Sequence, residues 1–395
     1  MRFSEVKAVR IPKGSAARIR SKELIRWERY PILARYVSLG DSIAAGHTIN
    51  SDWDKNYGER SQYGVNGNDH TKIVSGCYTD LIHKDLIEKH GGGRIAVTSF
   101  ARSGDTVADL VAKLDHDVVK NAIAKANYVT VCIGANDVLQ PAVSRLEEYI
   151  NAGEAALQNM TAIVNANLAT LAEGNNANSY LALFRKLTAI NPNAKYAFTS
   201  IYNPYKYLWI DEGRNGFFAP LLATIPNMDM FGVDIDGAIK DALLDQEAVR
   251  ILYNRVNNLG SWAETNVTNL NNVLRNAVSA FGSANFVVTE TKTMFEAYPD
   301  RPVQADVHYN DLVSVEYTRG YDSMQMDWGR LYEPNGGAVS FWTRLVTAHG
   351  LDLVSMANEL VPLIVERVIV PDVDPHPEEY GHIVLKQAFG TALGL

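Results

Sequence analysis

Short, solid apolar runs alternate along this chain with stretches in which apolar residues recur every three or four positions. The solid runs are Tyr36-Val37-Ser38-Leu39, Ile95 to Phe100, Tyr128 to Ile133, Tyr196 to Ile201 and Asn285 to Thr289. Runs of that length with so few polar positions predict strands buried on both faces. Helical spacing covers Tyr78 to Lys89, which stops at Gly91-Gly92-Gly93, and Thr106 to Leu114, with Asp105 near its start. It continues over Ala155 to Ile190, with a polar break at Gly174-Asn175-Asn176, and over Gln246 to Ala280. Alternating buried strands and helices predict one α/β domain, doubly wound around a parallel sheet.

That domain starts at Arg35 and runs to Leu395. Ahead of it, residues 1–34 read as a small basic appendage. There Val6 to Ile11 alternates apolar with charged residues, Pro12-Lys13-Gly14 marks a turn, and Ala17 to Trp27 is a second short extended element. Two regions break the strand–helix repeat and read as insertions over one end of the sheet, around 205–240 and 297–365. The first is rich in aromatics, Gly and Pro. The second begins rich in Tyr, Asp and Gly and ends, over 341–365, in an amphipathic helical stretch with Leu345, Leu351, Leu353, Val354, Leu360 and Leu363. Loops at the carboxyl ends of parallel strands normally build the site.

Composition narrows the partners. The 395 residues are 47% hydrophobic and 21% charged, enough to bury a large core. A formal net charge of −8 argues against a nucleic-acid partner. The charge is uneven: residues 1–35 carry ten basic and three acidic side chains, a balance of +7 that leaves −15 for the rest. The basic start reads as a solvated tail or as an attachment segment. Two cysteines, Cys77 and Cys132, do not make a disulfide framework and read as structural. No signal peptide and no run of membrane-spanning length is expected, so the compartment is left open between the cytoplasm and a virion or prophage particle.

Four short patches then follow in one order along the chain: Gly40-Asp41-Ser42, Gly104, Gly134-Ala135-Asn136-Asp137 and Asp374-Pro375-His376-Pro377. Ser42 stands at a strand-to-helix turn, where its hydroxyl can attack and its own N–H can join an oxyanion hole. Gly104 lets the backbone approach a substrate and offers a second N–H. Asn136 offers a side-chain N–H, and Asp137 is expected to hold its loop by accepting backbone N–H bonds. His376 is the natural proton acceptor near neutral pH. Pro375 biases Asp374 towards an extended conformation, and residues two apart in an extended segment face the same way, which suits an Asp374–His376 bond. Asp372 lies on that same face.

On these four blocks the chain resembles the SGNH or GDSL hydrolase superfamily, whose blocks carry Ser, Gly, Asn and His in this order. The resemblance spans Arg35 to Leu395 and implies a flavodoxin-like three-layer α/β/α sandwich, no metal or other cofactor, and a serine ester-hydrolase mechanism. It implies Ser42 and His376 as catalytic residues, and Ser42, Gly104 and Asn136 as the oxyanion hole. The block opens Gly-Asp-Ser-Ile rather than Gly-Asp-Ser-Leu, and the family's acid position, three before the histidine, is Val373. Asp374, Asp372 and a backbone carbonyl are therefore the alternatives for orienting His376.

Other groups rank lower. Asp306-Val307-His308 lacks the following proline and helix, His47 could line the pocket or a surface loop, and His382 reads as structural. Asp234-Ile235-Asp236-Gly237 lacks the closing acid of a calcium loop. Tyr202, Tyr205, Tyr207, Trp209, Phe217 and Phe218 could floor a sugar or acyl site or pack beneath an insertion. The expected activity is carboxylic ester hydrolysis through an acyl-enzyme, on a small ester or an acylated glycan such as a carbohydrate O-acetyl ester. The alternatives are a lipase or acyl-thioester hydrolase with a longer acyl trough, and a phage or prophage tail protein that binds a host glycan.

Overall fold

The first apolar run forms β1, Ala34–Gly40, in which all but one residue is buried. Its two buried polar side chains find partners: Ser38 Oγ lies 3.0 Å from Thr79 Oγ1, and Tyr36 Oη lies 2.8 Å from Thr130 Oγ1 of a neighbouring strand. A strand that buries both faces needs neighbours on both edges, and β1 has them. It pairs in parallel with β2, Ile95–Ser99, on one side and with β3, Tyr128–Cys132, on the other. The sheet continues in parallel through β4, Lys195–Phe198, to β5, Phe286–Val288. The strand order is therefore 2-1-3-4-5, the flavodoxin-like arrangement, and the fold is the expected three-layer α/β sandwich. The order reverses direction at β1, so the crevice beyond the carboxyl ends of β1 and β3 is the topological switch point where such sheets bind ligands.

The computed structural model describes residues 31–47, 70–71, 73–145, 148–149, 153–204, 247–297, 325–326, 332–349, 352–363, 369–370, 376–377 and 379–395. On one face of the sheet, helix Tyr78–Lys89 packs against the C-terminal helix Glu379–Leu393, with the Tyr78 and Phe389 rings 4.9 Å apart. On the other face lie helices Val107–Lys113, Tyr180–Ile190 and Glu247–Phe281. Phe184, Phe198, Phe281 and Phe286 meet there as an aromatic cluster. The helical region read over Ala155 to Ile190 divides at its polar break into Glu154–Ala172 and Tyr180–Ile190. Ser179 caps the second by accepting the Ala182 N–H at 3.2 Å. Helix Asp117–Ile123 has no counterpart in the sequence reading; it buries only Val119 and Ile123, too few positions to show a period.

Within the region read as the second insertion, the amphipathic stretch is two helices, Ala338–His349 and Leu353–Leu363, packed on each other. Glu359 joins them by accepting bonds from Arg344 and from His349, the latter at 2.7 Å. A two-residue antiparallel pair, Gln325–Met326 with Ile369–Val370, lies on either side of them in sequence. The basic segment up to residue 30, the insertion at 205–240 and the Asp306/His308 and Asp234–Gly237 motifs lie outside the described residues. Among the described residues, no helix is long and apolar enough to cross a membrane.

Gly40 ends β1 with φ +140°, and a Cβ there would lie 2.0 Å from the Cys132 carbonyl oxygen. The next amide, Asp41 N–H, bonds that same oxygen at 3.0 Å. β1 and β3 can close at their carboxyl ends only with glycine at 40. Gly40→Ala is expected to destabilise the fold by about 3 kcal/mol or more, read by urea denaturation; an unchanged midpoint would show that the strands part at no cost.

Candidate active site

Immediately after Gly40 the chain turns into a one-turn helix, Ser42–Ala45, capped by Asp41, whose Oδ1 accepts the Ile43 N–H at 3.0 Å. Ser42 is thus the first residue of the helix, and first-turn amides have no intrahelical acceptor. The helix ends at Gly46, φ +81°, where a Cβ would meet Cys77 and Val74.

Two other strand ends and a segment near residue 376 converge on this turn. After β2, Gly104 adopts φ +81°, a left-handed conformation that favours glycine. Nothing lies within 4 Å of where its Cβ would be, so conformation rather than crowding selects glycine there, and its backbone is exposed to the cleft. After β3, Gly134 adopts φ +116° with the Tyr180 hydroxyl 2.3 Å from a notional Cβ. This turns the chain into the short helix Ala135–Val138, which carries Asn136 and Asp137. From the far end of the chain comes His376, whose Nε2 lies 2.6 Å from Ser42 Oγ.

Hydrogen bonds lock the loops to one another. Asn136 Nδ2 donates to the Asp105 carbonyl at 2.9 Å, which fixes the amide plane beside Gly104. Asp137 Oδ2 accepts the Val107 N–H at 3.1 Å, the loop-holding bond expected for it. Asn167 donates in turn to the Asp137 carbonyl at 2.8 Å. Beneath them Asp105 pairs with the buried Lys113, which also donates to the Phe100 carbonyl at 2.8 Å. Thr106 and Asp109 form a capping box that starts helix Val107–Lys113.

A cavity of about 190 Å³ opens over the Ser42–His376 contact. Ser42, Gly104, Asn136 and His376 all line it, together with Ile43, Leu139, Gln140, Ile201, Tyr202 and Pro204. His47 lines it too. Its ring stacks on His376 with centroids 4.1 Å apart and planes 26° from parallel, which settles its place as pocket rather than surface loop. Tyr202 is buried and stacks on Phe295 at 4.3 Å, so of the aromatics considered it both packs and lines the cavity; the other five lie outside the described residues. Asp374 and Asp372 also lie outside them. The cavity-lining roles of Leu139, Gln140 and Pro204 were not foreseen; their only sequence signal is that they follow strand ends.

Electrostatics separate reactive from structural groups. Burial pushes both thiols up, Cys77 to about 11 and Cys132 well above the usual thiol range, so neither is a thiolate at neutral pH. His382 is fully buried, its Nδ1 accepts the Tyr78 N–H at 3.1 Å, and burial lowers it to about 3. It is a neutral structural group, as its sequence context suggested. Burial raises the Asp41 carboxyl to about 7, against the opposing bond from Ile43 N–H. Burial likewise raises Asp137 to about 6.

Residues 36–314 match the profile of the family described as GDSL-like lipase/acylhydrolase. Among solved structures, the chain is similar to an acetylxylan esterase from Geobacillus stearothermophilus, at 15% identity over 93% of this chain and 97% of that one, TM-score 0.40. It is similar to an extracellular lipase from Streptomyces rimosus, at 16% identity over 73% and 91%, TM-score 0.39. It is also similar to a phospholipase A1 from Streptomyces albidoflavus, at 16% identity over 67% and 82%, TM-score 0.36. No curated protein matches the sequence.

The Asp41 carboxyl has a consequence for stability. The folded chain holds this proton up to about pH 7, whereas an unburied Asp releases it near 3.8. The native state binds the extra proton across that window, so stability falls as pH rises through it. Asp41→Asn keeps an acceptor for Ile43 N–H and has no proton to lose. Its Tm is expected to exceed the parent's by several degrees at pH 8 and to approach it at pH 4. Parallel Tm curves for the two proteins across that range would remove Asp41 as the cause.

Proposed function

This chain belongs to the GDSL-like lipase/acylhydrolase family and is a serine ester hydrolase, and on that premise we propose that Ser42 is its nucleophile and His376 its general base. The observation that carries the assignment is the 2.6 Å contact between His376 Nε2 and Ser42 Oγ, made across 334 positions of sequence. Ser42 Oγ attacks the ester carbonyl carbon while its proton passes to His376 Nε2. The carbonyl oxygen takes the negative charge, and the Ser42 N–H, the Gly104 N–H and the Asn136 amide stabilise it. Collapse breaks the bond to the alcohol oxygen, which leaves with the proton from Nε2. Water then gives a proton to Nε2 and attacks the acyl carbon, and the acid departs as Ser42 recovers its proton. Asp374, two residues before His376 in sequence, is the group we assign to orient the imidazole.

The acyl group in this reading is short. The cavity at Ser42, about 190 Å³, is below the roughly 300–1,000 Å³ of sites that hold drug-sized ligands. Acetyl and other short esters of a carbohydrate alcohol fit it better than a fatty acyl chain. We assign the whole of residues 35–395 to this one hydrolase domain. The contact of His376 with Ser42, and the packing of helix Glu379–Leu393 against β4 and Tyr78–Lys89, favour this although the family match ends at 314.

Two measurements test the reading. Ser42→Ala is expected to lose hydrolysis of nitrophenyl acetate and to lose covalent labelling by a fluorophosphonate, whose adduct on the parent maps to Ser42. Asn136→Ala is expected to lower kcat by on the order of 10²–10³ with little change in KM. Wild-type turnover in Ser42→Ala would remove the nucleophile. Acyl preference is read from a nitrophenyl ester series, with kcat/KM expected to fall as the acyl chain lengthens.

A further inference from the structure

Ser42 and His47 stand at the two ends of one short turn. Ser42 opens the helix Ser42–Ala45, and Gly46 closes it in the left-handed conformation. The His47 N–H then donates to the Ser42 carbonyl at 3.1 Å, so the backbone ties the second residue to the first. The turn has little room to shift. The Gly46 N–H donates to the Ile43 carbonyl at 3.2 Å, and Gly46 lies so close to the buried Val74 and Cys77 that a Cβ would collide with them. The element that sets the position of the serine therefore also sets the position of His47.

Two contacts from this turn meet His376. Ser42 Oγ lies 2.6 Å from its Nε2, and the His47 ring lies on its face, with centroids 4.1 Å apart and planes 26° from parallel. The two contacts restrain different motions. A single hydrogen bond at Nε2 fixes where that atom sits but lets the ring swing and tilt about it. A second ring laid on the face opposes the tilt, because the flat contact is kept only while the planes stay near parallel. The tilt matters to the chemistry. A hydrogen bond weakens steeply as its angle bends, and a general base has to receive the proton along its lone pair. His376 comes from a segment 334 positions away, so its aim at Ser42 is made by tertiary contacts of this kind.

We propose that His47 is a positioning residue for the hydrolytic reaction: its ring, stacked on His376, holds the imidazole plane in line with Ser42 Oγ. The proposal rests on His376 as the general base, and it adds an orienting contact at the ring face beside the role assigned to Asp374. His47 acts through His376 and moves no proton itself. What it supplies is a flat face, so another aromatic ring can replace it and an aliphatic side chain cannot. His47 also lines the Ser42 cavity, which makes substrate contact the rival role that the test has to separate.

The test uses the full chain, with nitrophenyl acetate as substrate and a fluorophosphonate as probe of the serine. His47→Ala is expected to lower kcat about tenfold and to slow labelling of Ser42 by a similar factor, with KM within about threefold of the parent. His47→Phe keeps a flat face without the ring nitrogens and is expected to recover most of that loss. His47→Leu fills the space without a flat face and is expected to stay as slow as His47→Ala, in whose place it is read if that variant does not fold. In histidine-labelled protein, the His376 ring-proton NMR signal, identified by its loss in His376→Ala, is expected to move downfield in His47→Leu and to return in His47→Phe. Parent kcat in His47→Ala and His47→Leu, or a loss that His47→Phe does not recover, would overturn the positioning role. A raised KM with unchanged kcat would make His47 a substrate contact and overturn it as well. Turnover surviving in His376→Ala would instead overturn the general base, while the NMR signal still judges whether His47 holds the ring.

Discussion

The contact between Gly40 and the Cys132 carbonyl is the constraint on which the rest of the site is built. Two parallel strands meet there with no side chain between them. Because they meet, the Asp41 amide is drawn onto the same oxygen, and Asp41 is left facing inward as a cap. Ser42 then has to begin a helix at the sheet rim. β1 sits between β2 and β3, so the residues that follow those strands, Gly104 and Asn136, arrive on either side of Ser42 as a result of strand order alone. The proposed oxyanion donors are products of topology more than of any local fit.

Rigidity here comes from backbone carbonyls answered by side-chain amides. Asn136 holds the Asp105 carbonyl, Asn167 holds the Asp137 carbonyl, and Asp137 holds the amide that starts helix Val107–Lys113. The arrangement costs stability, because two carboxyls near the serine are buried deeply enough to be raised towards neutrality. A domain with a core this large can carry that cost, since the apolar contacts that outweigh it lie elsewhere in the sheet and its two helical layers.

Strands were legible because burial on both faces leaves a solid apolar run that few other elements imitate. Their ends were less so. Tyr196 to Ile201 reads as one strand, yet β4 stops at Phe198, because the Ser200 and Ile201 amides turn to Thr289 and Asn271 side chains instead of a neighbouring strand. Of the site, Ser42, Gly104 and Asn136 could be read from their places after strand ends, His376 from its place before the C-terminal helix, and all four from their family order. What could not be read depends on partners remote in sequence. Gly40 looks like a plain stop until Cys132 stands against it. His47 looks like a loop residue until it stacks on His376. His382 carries no sign that it caps a helix 304 positions away.

The distance in sequence between Ser42 and His376 has a meaning during synthesis. The chain emerges from the ribosome with β1 first, and 334 further residues must follow before the imidazole that contacts Ser42 exists. At roughly 5–20 residues per second that interval is on the order of tens of seconds. Through it the nascent chain carries Ser42 without His376 beside it, and the helix Tyr78–Lys89 lacks the ring of His382 at its amino end. On the proposed roles of Ser42 and His376 the nascent hydrolase is latent, and the packing of helix Glu379–Leu393 on Tyr78–Lys89 accompanies the arrival of the imidazole.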